Sequence, residues 1–387
     1  RCTEMLETIA ANHQLLTPLS NEERVRLLVA AGRVIHPDRF QVRSRLKAMR
    51  GAKRRVKEDK DRAVRAGTSI RSLRQEAVFV APLRQIASEE GLPDVTRELQ
   101  RPRDCYVCKA EFTQVHFFYD SMCPACASFN YQKRYQTASL EGRVALITGA
   151  RLKIGYHAAL LMLRAGARVV VTTRFPQDAA ERYAKESDFA DWSARLHVHG
   201  LDLRHSPSVE VFTRLMGEKL ERLDILINNA AQTVRRPPGF YQHLMDIETR
   251  PFLELSEGAR LLLRNHEALK RELLGPVDSR WLSEWHAGQA VPTLGITASA
   301  SLSQIPYRCD DTAAEHFPEG KLDADLQQVD KRSMNSWRMK LADVPTAEML
   351  EVQLVNSIAP FILCSKLKPL MMRTANRDKH IVNVSAM

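Results

Sequence analysis

A short aliphatic run, Val144-Ala145-Leu146-Ile147, breaks directly into Thr148-Gly149-Ala150-Arg151-Leu152-Lys153-Ile154-Gly155, and helical periodicity follows. A buried strand that turns at once into a helix needs residues without a Cβ where backbone segments approach closely, and glycine supplies them. The helix then opens with unpaired N–H groups and the positive end of its dipole pointing out of the turn. That arrangement suits an anion, above all a diphosphate.

The rest of the C-terminal part repeats the pattern. Val169-Val170-Val171 is a second buried strand and Leu226-Ile227 closes another, with helical stretches at 155–165 and 206–222 between them. Strands alternating with helices at this spacing predict an α/β fold, a doubly wound parallel sheet. Four further signatures follow the glycine turn in order: Asp202 within Leu201-Asp202-Leu203, Asn228-Asn229-Ala230-Ala231, Asn356 within Val355-Asn356-Ser357, and Ser385 within Val382-Asn383-Val384-Ser385. The set resembles the short-chain dehydrogenase/reductase family over about residues 139–231 and 347–387, which implies a Rossmann-like sheet. The resemblance implies that Thr148, Gly149, Arg151, Lys153, Ile154, Gly155, Asp202, Asn228 and Ala230 frame a dinucleotide, with Asp202 against adenine. It implies Asn356 and Ser385 as catalytic residues, the serine holding a substrate carbonyl and the asparagine supporting a proton relay. The reaction expected is oxidoreduction of a carbonyl or alcohol on an unidentified small molecule, by a chain that pairs with itself through helices. An NAD-specific site carries an acid after the second strand; here that place reads Thr172-Thr173-Arg174. A carboxylate is missing and Arg174 can pair with a 2′-phosphate, so NADP(H) is the expected cofactor.

Three departures from the family pattern stand out. Lys153 replaces the middle glycine of the phosphate loop, either crowding the cofactor path or contacting phosphate through its ammonium. The family's Tyr-x-x-x-Lys, which performs the acid/base step, does not occur between Ser385 and Met387. Together with a start at Arg1, this marks the chain as an expected fragment, and without those two residues as a poor catalyst. A competing expectation follows: a catalytically impaired NADP(H)-sensing protein whose N-terminal part binds nucleic acid or a protein partner. Finally, residues 232–346 interrupt the alternation where the family has one short connection. They hold Trp281, Trp285, Trp337, the turn Arg235-Arg236-Pro237-Pro238 and one clear helix at about 254–274. A lid, a substrate platform, a partner surface and a surface elaboration with its own small core all fit.

Upstream, Cys105-x2-Cys108 is followed by Cys123-x2-Cys126. Two such knuckles can close a tetrahedron of thiolates around structural zinc (Zn2+), a stronger reading than a redox dithiol, for which one pair would do. His116 lies between them but is not needed as a ligand. Aromatic residues and missing helical periodicity predict strands or knuckle turns over 101–137. Residues 1–100 read as a helical basic segment, with Ser20 and Glu23 forming a capping box. Residues 1–104 hold 22 Lys and Arg against 14 Asp and Glu, so eight of the eleven net positive charges sit there. Such a segment is a footprint for nucleic acid or an acidic protein, or else a solvated helix surface. The expected domains are therefore 1–100, 101–137 and 138–387, the last carrying the insertion 232–346. With 44% apolar and 27% charged residues, and without an uncharged apolar run of spanning length, no membrane is expected. One cysteine cluster and an odd cysteine count point to a reducing compartment, the cytoplasm, with the nucleus open to a basic protein.

Overall fold

The computed structural model describes residues 2–35, 39–73, 97–134, 136–274, 292–306, 315–322 and 327–385. These fall into two units that divide near residue 135.

In the first unit, helix α1 (Cys2–Ala11) and α2 (Asn21–Ile35) precede a 28-residue helix α3 (Arg39–Ala66). The capping box forms as expected: Ser20 N and Oγ both donate to Glu23 Oε2, and Glu23 N donates to Ser20 Oγ. Strands β1 (Arg97–Asp104) and β2 (Glu111–Val115) pair antiparallel, with a bulge between Glu98 and Arg103. The strand therefore begins inside the segment expected to be helical. Helix α4 (Pro124–Lys133) was not legible in the sequence; it is ten residues long, has no apolar stripe, and starts because Pro124 fits the first helical position. A small core of Leu99, Cys105, Phe112 and Val115 takes Val64 of α3 as its lid.

In the second unit, five parallel strands run in the order β5-β4-β3-β6-β7: β3 (Val144–Thr148), β4 (Arg168–Thr173), β5 (Leu196–Gly200), β6 (Ile225–Asn228) and β7 (His380–Asn383). The pleat sends alternate residues to opposite faces. Ala145, Ile147, Val169 and Val171 face α5 (Lys153–Arg164), meeting Ala159, Leu160 and Leu163. Leu146, Val170 and Leu226 face the other way, onto Val209 and Phe212 of α7 (Ser206–Lys219) and Ile362, Leu363 and Leu367 further along the chain. Burial on both faces explains why these strands are unbroken aliphatic runs. Helix α6 (Pro176–Ala184) follows β4.

The inserted residues are integrated into this unit rather than laid on it. Helix α8 (Pro238–Glu248) forms a satellite core in which Phe240, Tyr241 and Leu244 meet Phe175 and Phe317. Helix α9 (Glu257–Leu274), capped by Ser256, sends Ala259, Leu262 and Leu263 into the main core and packs along edge strand β5. Gly200 permits that approach, since a Cβ there would stand 2.9 Å from His266 Nε2. Trp281 and Trp285 lie outside the described residues. The helical run Thr346–Met371 comprises α10 (Thr346–Gln353), a π-turn over Leu354–Ile358, and α11 (Ala359–Met371). By length and composition alone it could cross a bilayer, yet Ala359, Ile362, Leu363, Leu367 and Leu370 bury one stripe of α11 against the sheet and α7.

Candidate functional site

The C-terminal ends of β3, β4, β5 and β6 open into a cleft of about 480 Å³, the place where doubly wound sheets bind ligands. Its floor is the turn after β3. Gly149 has φ +65°, and a Cβ there would stand 2.8 Å from Ala230 Cα. At Gly155 an added Cβ would meet Asn229 Nδ2 at 2.4 Å and Gly149 O at 2.7 Å. The turn is braced from two sides. Gly149 N donates to Thr172 O (2.8 Å), while Asn229 Nδ2 donates to the carbonyls of Thr148 and Gly149, each at 3.0 Å. Thr148 Oγ1 in turn accepts from Asn229 N and Ala230 N. Lys153 opens α5 with φ +57°, a left-handed conformation that disfavours any side chain.

The walls are cationic. Arg151, Lys153, Arg174, Arg204 and Arg236 line the cleft, against a single acid, Asp202, among the described residues. Two of these cations are committed inside the protein. Arg151 Nη1 reaches Asp178 Oδ2 at 2.7 Å. Burial works to raise the Asp178 pKa, but Arg151 and Arg182 outweigh it and hold the carboxyl below its ordinary value. Arg204 forks onto Asp202 through Nε and Nη2; burial opposes the Asp202 charge, yet this pairing keeps it ionised. Arg174 is held differently. Its Nη2 donates to Tyr241 Oη at 2.6 Å, and its guanidinium lies 4.6 Å from the Tyr241 ring centre. Arg236 stands over Phe240, 4.6 Å from the ring centre. Both aromatic partners come from the inserted α8. The insertion also supplies Gln327 and Trp337 to the cleft wall.

Of the residues singled out in the sequence, Gly149, Arg151, Lys153, Ile154, Arg174, Asp202 and Ala230 line this cleft, while Thr148 and Gly155 shape the turn beneath it. Asn228 does not line it. Buried between β6 and β7, it donates through Nδ2 to Asn383 Oδ1 at 2.8 Å. Asn356 and Ser385 lie outside the cleft wall as well. Asn356 sits in the π-turn and grips the Gln232 backbone from both sides, Oδ1 accepting from Gln232 N and Nδ2 donating to Gln232 O, each at 2.8 Å. Ser385 is exposed just beyond β7. Sequence reasoning gave no site role to Asn229, Arg204, Arg236 or Tyr241, although Asn229 and Arg236 stood in motifs it singled out. Asn229 and Arg204 were visible as neighbours of Asn228 and Asp202; nothing in the sequence placed Tyr241 beside Arg174.

In the other unit, the sulfurs of Cys105, Cys108, Cys123 and Cys126 all lie within 4.8 Å of one another, with Cys108 and Cys123 at 3.7 Å. The first knuckle turns at Lys109 (φ +63°), where Lys109 N donates to Cys105 O. Burial disfavours the Cys105 thiolate, but backbone N–H groups of Cys108, Cys123 and Val107 bring its pKa to about 6. His116 is turned away into other work: Nδ1 accepts from the backbone of Phe118 and Tyr119.

Residues 143–254 match the profile of the short chain dehydrogenase family. An uncharacterized protein of Acanthamoeba polyphaga mimivirus is 32% identical over 291 residues, covering 73% of this chain and 52% of that protein. The (+)-neomenthol dehydrogenase of Capsicum annuum is 35% identical over 111 residues, 28% of this chain and 35% of the enzyme. Retinol dehydrogenase 13 of Mus musculus is 33% identical over 94 residues, 24% of this chain and 28% of its own. The chain thus spans about half the length of the viral relative, and about a third of the two dehydrogenases. Among solved structures, the Pseudomonas aeruginosa RhlG/NADP active-site complex aligns at 19% identity and a TM-score of 0.33, covering 64% of this chain and 59% of its own. With its glycine turn, parallel five-stranded sheet and profile match, the sheet unit carries, over residues 143–254, a segment of the short-chain dehydrogenase/reductase family.

Proposed function

We propose that the cleft binds NADP(H) and that the chain forms the cofactor-binding part of an oxidoreductase acting on a carbonyl or alcohol. The observation that carries this is the joint presence, in one cleft, of the Gly149 turn and of Arg174 at a strand end without a carboxylate. The fit is supported by the two glycines, whose Cβ atoms would collide with the turn's own braces. Backbone N–H groups of the turn would take the diphosphate. Arg174, held by Tyr241, and Arg236 would take the 2′-phosphate as charge-assisted donors. When bound, the nicotinamide gives or accepts a hydride. Ser385 would hold the substrate oxygen, and Asn356 is a positioning residue that fixes the Gln232 loop.

Fluorescence titration of the protein with NADPH should saturate, with NADH weaker. Arg174→Ala should weaken NADPH by about tenfold or more, the value of one charge-assisted hydrogen bond, and leave NADH nearly unchanged. Uptake of neither nucleotide would remove the proposal.

We further infer that the four cysteines hold structural zinc. Thiolates bound tetrahedrally at about 2.3 Å from zinc stand about 3.8 Å apart, and the Cys108–Cys123 separation of 3.7 Å matches. Four thiolates leave zinc no open position, so its contribution is to folding, not to chemistry.

A further inference from the structure

We propose that the basic face of α3 binds double-stranded nucleic acid through its phosphates. Residues 39–57 hold nine Lys and Arg and no acid. At 3.6 residues per turn, Arg43, Lys47, Arg50, Lys53, Arg54 and Lys57 fall within an arc of about 120° over about 21 Å. All six are exposed. Arg54 meets Glu58; the other five have no carboxylate within the run 39–57 to offset them. Arg43/Lys47, Arg50/Arg54 and Lys53/Lys57 are like charges four residues apart, and each such pair weakens the free helix. A chain of repelling cations along one face is relieved by a polyanion of matching length, and 21 Å is about six base pairs of duplex.

The rest of the helix shows what this face is not used for. Two turns on, the same arc carries Asp61 and Val64, which dock onto the cysteine module: Asp61 Oδ1 accepts from Gln100 N at 2.6 Å, and Val64 joins the Leu99 and Cys105 core. Among the described residues, the packing that holds α3 therefore ends near Glu58, and the cations stand beyond it. Val42, Leu46, Met49 and Val56 are exposed and centre about a quarter-turn from the cations. A helix lying on a bilayer sets its apolar stripe on the face opposite its cations; here the six exposed cations centre only about a quarter-turn to one side of the stripe, which favours a rod of phosphates over a lipid surface.

The test uses the whole chain and a fluorescein-labelled 20-base-pair DNA duplex in anisotropy titrations between 50 and 300 mM salt. Saturable binding is expected, with a log–log salt slope of about −5 for six phosphate contacts; an RNA duplex bound with a similar slope supports the same claim. The variant Arg43→Gln/Lys47→Gln/Arg50→Gln/Lys53→Gln should bind at least tenfold more weakly, with the slope reduced by about three to four. Its far-UV circular dichroism should show no loss of helix, since repulsion has been removed. Absence of binding at 50 mM salt overturns the proposal. So does an unchanged slope in a folded variant, or binding to vesicles of anionic phospholipid but not to duplex.

Discussion

Lys153 is the residue whose backbone and side chain pull in different directions. Its φ of +57° is one that glycine adopts without cost and that other L-residues adopt at about 1 kcal/mol or more. It also lines the cationic cleft. A strained conformation at a cleft-facing position is best explained by what the side chain does there. Lys153→Gly should accordingly raise the melting temperature of this unit by about 2–4 °C while weakening NADPH binding. Tighter nucleotide binding by the variant would show instead that the lysine obstructs the cleft. Neighbouring asparagines illustrate a different residue-scale point. Asn228 is the last residue of β6 and turns toward β7, whereas Asn229 has left the strand and braces the glycine turn. Two identical residues in sequence acquire different tasks from one step of the pleat.

At the scale of elements, strand β5 is instructive. Leu196-His197-Val198-His199-Gly200 does not read as a buried strand, because two of its five residues are titratable. Its burial comes from α9, a helix supplied by the insertion, which places His266 against Gly200 and His199. The strands β3, β4 and β6 were legible from their aliphatic runs; β5 was not, since the partner that buries it lies about 60 residues away. Helix α4 and the π-turn that seats Asn356 escaped for similar reasons, neither carrying a periodic stripe. The glycine turn and the cysteine pairs were legible because their geometry is local. The histidine pair has a measurable consequence. Burial pushes His199 down to about 3 and His266 well below its ordinary value. The folded chain thus refuses protons that the unfolded chain accepts near pH 6.5. Stability is full above that pH and falls as pH drops below it, by about 1.4 kcal/mol per pH unit for each proton withheld. Urea midpoints between pH 7.5 and 5.0 should therefore fall more steeply in the wild type than in His199→Leu. Parallel slopes would mean that the histidine is solvated.

On the scale of the whole molecule, two units each carry a hydrophobic cluster of their own, the four-cysteine module with α3 in one and the doubly wound sheet in the other. A match covering 73% of this chain is too long to fit within residues 135–387, so the likeness to the mimivirus protein extends into the first unit. The small core of the module, with Leu99, Phe112 and Val115 around Cys105, is too slight to hold β1, β2 and α4 without a cross-link, and metal would supply it. The sheet unit needs no such help. Nature has also placed the reporters conveniently, because all four tryptophans, Trp192, Trp281, Trp285 and Trp337, follow residue 135. Adding a strong zinc chelator should therefore release one metal per chain and remove far-UV signal from the module, while tryptophan emission stays constant. Saturating NADPH should act on the other unit alone. At a hundredfold excess over Kd it should stabilise the tryptophan-detected transition by about 2.7 kcal/mol, without protecting the module from chelation. If tryptophan emission shifted to the unfolded value as zinc left, the sheet would depend on the metal module, and the two cores would not be independent folding units.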